Sequence, residues 1–228
     1  MKQNTQAIAL MAILAIGSGI AGFSLASQAD SNPAASATGF VVKPMMSGHL
    51  QVEVHDADGN LKAVRSADNI ITQQGENCAL RLLFTDGSVH DAAASSGDCA
   101  GPFQEPFTYI AVGTGTTQEV GTQYQLVSET NNLGGNSNFD RKAATTVTWT
   151  NSSGTEPTQS AQIVIAATFS NAGAGASITE AGLFNQTSGN ENTDAMFARK
   201  TFPTVSVSSG DDLTVTWTIN IGNTTSFD

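Results

Sequence analysis

LTVTWTINI, Leu213 to Ile221, decides the fold class. Leu213, Val215, Trp217, Ile219 and Ile221 alternate with Thr214, Thr216, Thr218 and Asn220, the two-residue period of a strand with one buried face. Working outward, AQIVIAATF (Ala161 to Phe169) is apolar on both faces near its centre and predicts a strand in the middle of a sheet. AATTVTWT (Ala143 to Thr150), Ser177 to Phe184 and Met196 to Val207 predict further strands. Pro203 removes a ladder donor from the last of these, so that strand bends or lies at an edge there. Upstream, Leu50 to His55 and Leu61 to Ser66 flank DADGN, a hairpin signal in which Asp58 and Gly59 tolerate positive φ. A single helix is expected over ENCALRLLF, Glu76 to Phe84, with Ala79, Leu82 and Leu83 on one stripe, Thr72 as a cap candidate and Asp86-Gly87 as the stop. These readings define an all-β protein: an antiparallel β-sandwich, jelly-roll or Ig-like, with one short helix and an N-terminal hydrophobic leader helix.

That leader runs AIALMAILAIGSGIAGFSL, Ala7 to Leu25, behind the basic Lys2, and residues 3 to 29 carry no charge. With the small residues of SLASQA it has the form of a secretory leader, cut after Ala26 or Ala29. Nineteen residues at about 1.5 Å each also reach roughly 28 Å, enough for an uncleaved membrane anchor. Residues 1–29 are therefore a secretory leader or membrane anchor. DSNPAASAT, residues 30–38, is a linker, and residues 39–228 form one sandwich domain including the N-terminal hairpin and helix. Either form of the leader places the domain outside the cell, extracellular or at the cell surface.

The formal charge of −11 becomes −12 once the leader and its only charged residue, Lys2, are removed. Such a chain offers no basic stripe, which argues against nucleic acid as a partner, and it contacts a membrane only through an uncleaved leader. Cys78 and Cys99 allow one disulfide in an oxidising compartment. Closing the intervening loop would contribute roughly 3 kcal/mol.

Little in the sequence converges on catalysis. His49, His55 and His90 lack metal-ligand spacing, no GxSxG elbow is present, and Gly113-Thr114-Gly115 lacks the lysine of a phosphate loop. Glu180, in ITEAGLF, lies among core residues and reads as a structural hydrogen-bonding group. Asp56, Asp58 and Asn60 are spaced like the opening ligands of a calcium loop. Position 12 is Ala67 instead of glutamate, so a hairpin turn is the better account, and no cofactor is expected. Asn151, Asn185 and Asn223 head glycosylation sequons, compatible with a surface location.

HLQVEVHDADGNLKAV, NIITQQGENCALRLLF, YIAVGTGTT, QLVSE, ITEAGLFN and FARKTFPTVSVSSGDDLTVTWTINIG follow one another in an order that resembles tail-associated virion structural proteins of bacteriophages, over about residues 48 to 222. The resemblance implies a β-sandwich building block of a multimeric particle, with no catalytic site and no functional residue to carry over. The leader and the cysteine pair depart from that pattern, since phage parts are assembled in the cytoplasm. They point to a related sandwich made for the cell exterior.

The leading expectation is a non-enzymatic subunit of an extracellular filament, pilus or surface layer. It would bind copies of itself, and other surface or virion proteins, by β-strand donation. Within GFVVKPMM, the segment Phe40, Val41, Val42, Met45 and Met46 is the better donor candidate, and pairing within its own domain is the competing account. A virion part and a secreted adhesin or glycan-binding module are the alternatives. Trp149 and Trp217 both fall in strands, which counts against a sugar platform.

Overall fold

The computed structural model describes residues 46–84, 99, 105–130, 137–153, 160–187 and 194–222. The leader, the linker, Phe40 to Met45 of the expected donor segment, and Asn223 lie outside them. The described chain runs β1 (Met46–His55), β2 (Leu61–Asp68), β3 (Ile70–Ile71), α1 (Gln73–Phe84), β4 (Tyr109–Gly113), β5 (Lys142–Ala143), β6 (Thr146–Ser153), β7 (Ser160–Ser170), β8 (Ala176–Phe184), β9 (Met196–Val207) and β10 (Asp212–Gly222). Two five-stranded antiparallel sheets form, in the orders β2-β1-β10-β7-β6 and β3-β9-β8-β4-β5. The expected all-β sandwich with one short α-helix is the architecture found. Among the described residues no helix is long and apolar enough to cross a membrane.

β10 lies between β1 and β7, and its alternation maps directly onto burial. Leu213, Val215 and Trp217 are fully buried, while the intervening threonines are half-buried on the other face. Leu50, Val52 and Val54 of β1 and Ile165, Ala167 and Phe169 of β7 extend the same layer. Ile110, Val112, Ile178, Leu183 and Val205 close on it from the second sheet. Each such side chain contributes about 1.5–3 kcal/mol on burial. β7 is interior, between β10 and β6, as its two-sided apolar pattern predicts.

The β1–β2 turn closes on Gly59 at φ 82°, a conformation that favours glycine. Pro203 lies where β9 breaks register. Ile178 pairs with Val205 and Glu180 with Thr201, so Phe202, Pro203 and Thr204 together face only Thr179. Arg65 of β2 reaches across, its Nε donating to Pro203 O at 3.2 Å and its Nη2 to Thr204 O at 3.2 Å.

α1 begins three residues earlier than the sequence suggests and docks by a different face. Thr72 caps it, with Oγ1 accepting from Gly75 N at 3.1 Å and donating to Met196 O. Gln74 Oε1 accepts from Met196 N at 2.9 Å, and a side chain at position 75 would strike the Phe197 backbone. Cys78 is buried in its disulfide with Cys99. Gln74, Gly75 and Cys78 therefore form the buried side. The expected apolar stripe is corrected: Leu82 and Leu83 face outward, at 42 % and 66 % exposure, because small and hydrogen-bonding groups let the helix backbone approach β9.

Candidate functional site

Two buried arginines account for the carboxylates that chemistry would otherwise claim. Glu180 and Arg199, on adjacent strands β8 and β9, are both out of contact with water. Arg199 Nε and Nη2 donate to Glu180 Oε2 at 2.9 and 2.7 Å. Gly115 N and Ser128 N donate to Glu180 Oε1 at 3.0 and 2.8 Å, and Val127 N donates to Oε2 at 3.2 Å. A Cβ at Gly115 would strike that carboxylate, so the Gly113-Thr114-Gly115 turn is shaped around Glu180. With its oxygens saturated the carboxylate acts as a tie between loops, and removing one partner of such a buried pair costs roughly 3–5 kcal/mol.

Arg141 has the same function on a neighbouring loop. Its Nε and Nη2 grip Glu129 at 3.0 and 2.7 Å, its Nη1 donates to Asp194 at 2.6 Å, and its guanidinium lies 3.7 Å over the Phe184 ring. In the loop after β4, burial alone would raise the Glu119 carboxyl; hydrogen bonds from Lys200 and Thr201 of β9 outweigh it and hold the group below its ordinary range.

The other expected positions resolve individually. Asp56 Oδ1 accepts from Asn60 N at 2.8 Å and Asp58 N at 3.0 Å. The Asn60 backbone bond above all lowers its pKa. Asp56, Asp58 and Asn60 thus meet as a turn whose key oxygen faces N–H donors, an arrangement that does not fit a cation. Among the described residues no group of three or more His, Cys, Asp or Glu could hold a metal ion.

Asn185 is 2 % exposed, and its Oδ1 accepts from Ala195 N at 2.8 Å, the opposite of the open position a modified asparagine requires. Asn151 falls within the exposed-edge strand β6. Met46 begins β1 paired with Ile221, so this end of the expected donor segment belongs to its own domain.

One constellation escaped the sequence because its members lie 17 and 19 residues apart. His49 Nδ1 meets Asp68 Oδ1 at 2.9 Å and His49 Nε2 meets Ser66 Oγ at 2.7 Å, the connectivity of a nucleophile relay. The Asp68 side chain is 93 % exposed, whereas the acid of a working relay is buried and holds the ring rigidly. On the open face of an edge hairpin the three make a surface polar cluster.

Sheet edges differ more sharply. β3 and β5 bound the second sheet with only two residues each, too short to template another chain. β2 bounds the first sheet with LKAVRSAD, which carries Lys62, Arg65 and Asp68. Lys62 Nζ donates to Asp211 Oδ2 at 2.5 Å, chiefly lowering that acid's pKa, and Arg65 is engaged with β9. β6, TVTWTNSS, bounds the other side with no charge and no proline, and no strand lies beyond it among the described residues. Thr146 to Thr150 are all exposed. Val147 and Trp149 pair with Ile165 and Ile163, so they share the core-facing side, yet they remain 50 % and 64 % exposed. The second sheet stops short of them.

TVTWT at 146–150 is repeated residue for residue at 214–218 in β10, and the two copies flank β7 on its two sides. In composition, then, β6 is a central strand left at an edge. No family model, curated protein or solved structure matches this chain.

Proposed function

We propose that the protein is a non-enzymatic structural subunit of an extracellular assembly, a filament, pilus or surface layer, whose copies associate by β-strand addition along β6. The observation that carries this reading is the β6 edge, beyond which no strand lies among the described residues. Its pentapeptide is the one that forms the middle of β10, an interior strand of the same sheet. An edge of this kind offers outward N–H and C=O groups to an extended neighbour. Two β6 strands paired antiparallel about Thr148 would set Trp149 of each copy against Val147 of the other, covering the overhang from both sides. Such a two-fold contact closes into a dimer, the brick of a larger array.

The test is charge at the edge. Val147→Lys with Trp149→Lys should leave the monomer's melting unchanged and abolish the dimer and any polymer, read by light scattering and electron microscopy. Normal assembly by the folded variant would refute the role given to β6. The exposed Trp149 also favours a second reading, a glycan-binding module that stacks sugar on its ring. In that case Trp149→Ala would remove glycan binding while Val147→Lys would not.

A further inference from the structure

α1 docks through Gln74, Gly75 and Cys78, and this leaves its leucines without a place in the core. Leu80 and Leu83, at 54 % and 66 % exposure, line one wall of a groove of about 890 Å³. Met46 and Ile221, the paired residues at the end of the first sheet, line the other, and Ile221 is 43 % exposed. Asp68 and Glu76 lie at the same groove and make it acidic. Exposed apolar walls of this extent mark a binding surface.

The occupant is indicated by where the chain enters. Met46 is both a wall of the groove and the first described residue, so the preceding GFVVKPM, residues 39–45, is tethered at its mouth with no intervening linker. That segment supplies Phe40, Val41, Val42 and Met45 for the leucines and a single charge, Lys43, of the sign that Asp68 and Glu76 require. Seven extended residues reach up to about 23 Å. The stretch of α1 from Glu76 to Leu83 rises only about 10 Å. The Pro44 ring fixes its own φ at a value that suits the second position of a turn.

We infer that residues 39–45 fold back into this groove of their own chain and close it as an N-terminal clasp. A short tether gives an effective concentration in the millimolar range, which a second copy's segment does not match in dilute solution. The clasp removes this segment as a donor and leaves β6 as the associating edge.

The full-length chain carrying Val42→Cys and Leu83→Cys, oxidised with the native disulfide in place, tests the clasp. At about 1 µM, far below the millimolar effective concentration, peptide mapping should find the two new cysteines linked within one chain. A mixture of the two single variants should give no heterodimer. Val42→Asp should independently raise the fluorescence of an apolar-surface dye several-fold without lowering the melting temperature. Heterodimers in the mixture would overturn the inference in favour of exchange between copies. Absence of any link, with dye binding unchanged by Val42→Asp, would overturn it outright.

Discussion

TVTWT occurs twice in one sheet with opposite fates. At 214–218 it is the middle of β10, with a strand on each side and a second sheet above, and Val215 and Trp217 have no exposure. At 146–150 it is β6, two places further out beyond β7, and Val147 and Trp149 stand half or more in water. Intrinsic propensity is identical in the two copies, so the difference in burial comes wholly from what lies beside and above each strand. β2, the other edge of the same sheet, shows how this chain treats an edge meant to stay single. There Lys62 and Arg65 occupy an acid and two carbonyl groups. β6, TVTWTNSS, carries no charged residue to play that part.

The sharpest way to probe this contrast is to truncate the same residue in each copy. Trp217→Ala should cost about 3–5 kcal/mol in denaturant unfolding. Trp149→Ala should cost the monomer less than about 1 kcal/mol. Equal losses would break the comparison. Lysine at Val147 and Trp149 comes next in size, because it removes association and leaves folding intact.

Stripping the guard from β2 is the reverse experiment. Lys62→Thr with Arg65→Thr should lower stability by about 1–2 kcal/mol, since the lost charged hydrogen bonds are partly solvated. The same change should create new concentration-dependent association through β2, visible in sedimentation.

Acid gives the smallest effect and sharpens the same distinction. Asp56 and Asp211 on the β2 side both have pKa values lowered by folding, Asp56 chiefly through the Asn60 backbone and Asp211 chiefly through Lys62. Their stabilisation is complete above the ordinary carboxyl range, about 4, and is lost as pH falls through the lowered values of the folded state. β6 carries no titratable side chain among TVTWTNSS. Melting temperature should therefore hold steady from about pH 6 to about pH 4 and fall as pH drops below that, while β6-mediated association in the still-folded fraction stays constant.

How much of this could be read from the chain depended on range. The β10 alternation, the DADGN turn, the Thr72 cap and the single cysteine pairing were legible because each is settled by neighbours in sequence or by having no alternative partner. The position of β6 was not, since sheet order is set by pairing across more than a hundred residues: β1 joins β10. Treating Trp149 and Trp217 alike as strand residues hid the fact that only one is covered. Arg141-Lys142 and Arg199-Lys200 are isolated basic pairs in the sequence, yet in both the arginine turns inward to carboxylates that are buried or nearly so. The leucines of α1 misled because hydrophobic periodicity assumes that a helix buries its greasiest face, and this one is drawn down by a glycine, a glutamine and a disulfide.

The pairing of Met46 with Ile221 places the two described ends of the chain side by side at one end of the sheet. A pull that separated those ends would load the β1–β10 ladder one hydrogen-bonded pair at a time, as a zip opens. Tension carried across a β6 contact along its strand direction would instead shear the hydrogen bonds β6 makes, straining all of them together. An array joined through β6 would therefore bear stretching forces that the same subunits, strung together by their termini, would yield to.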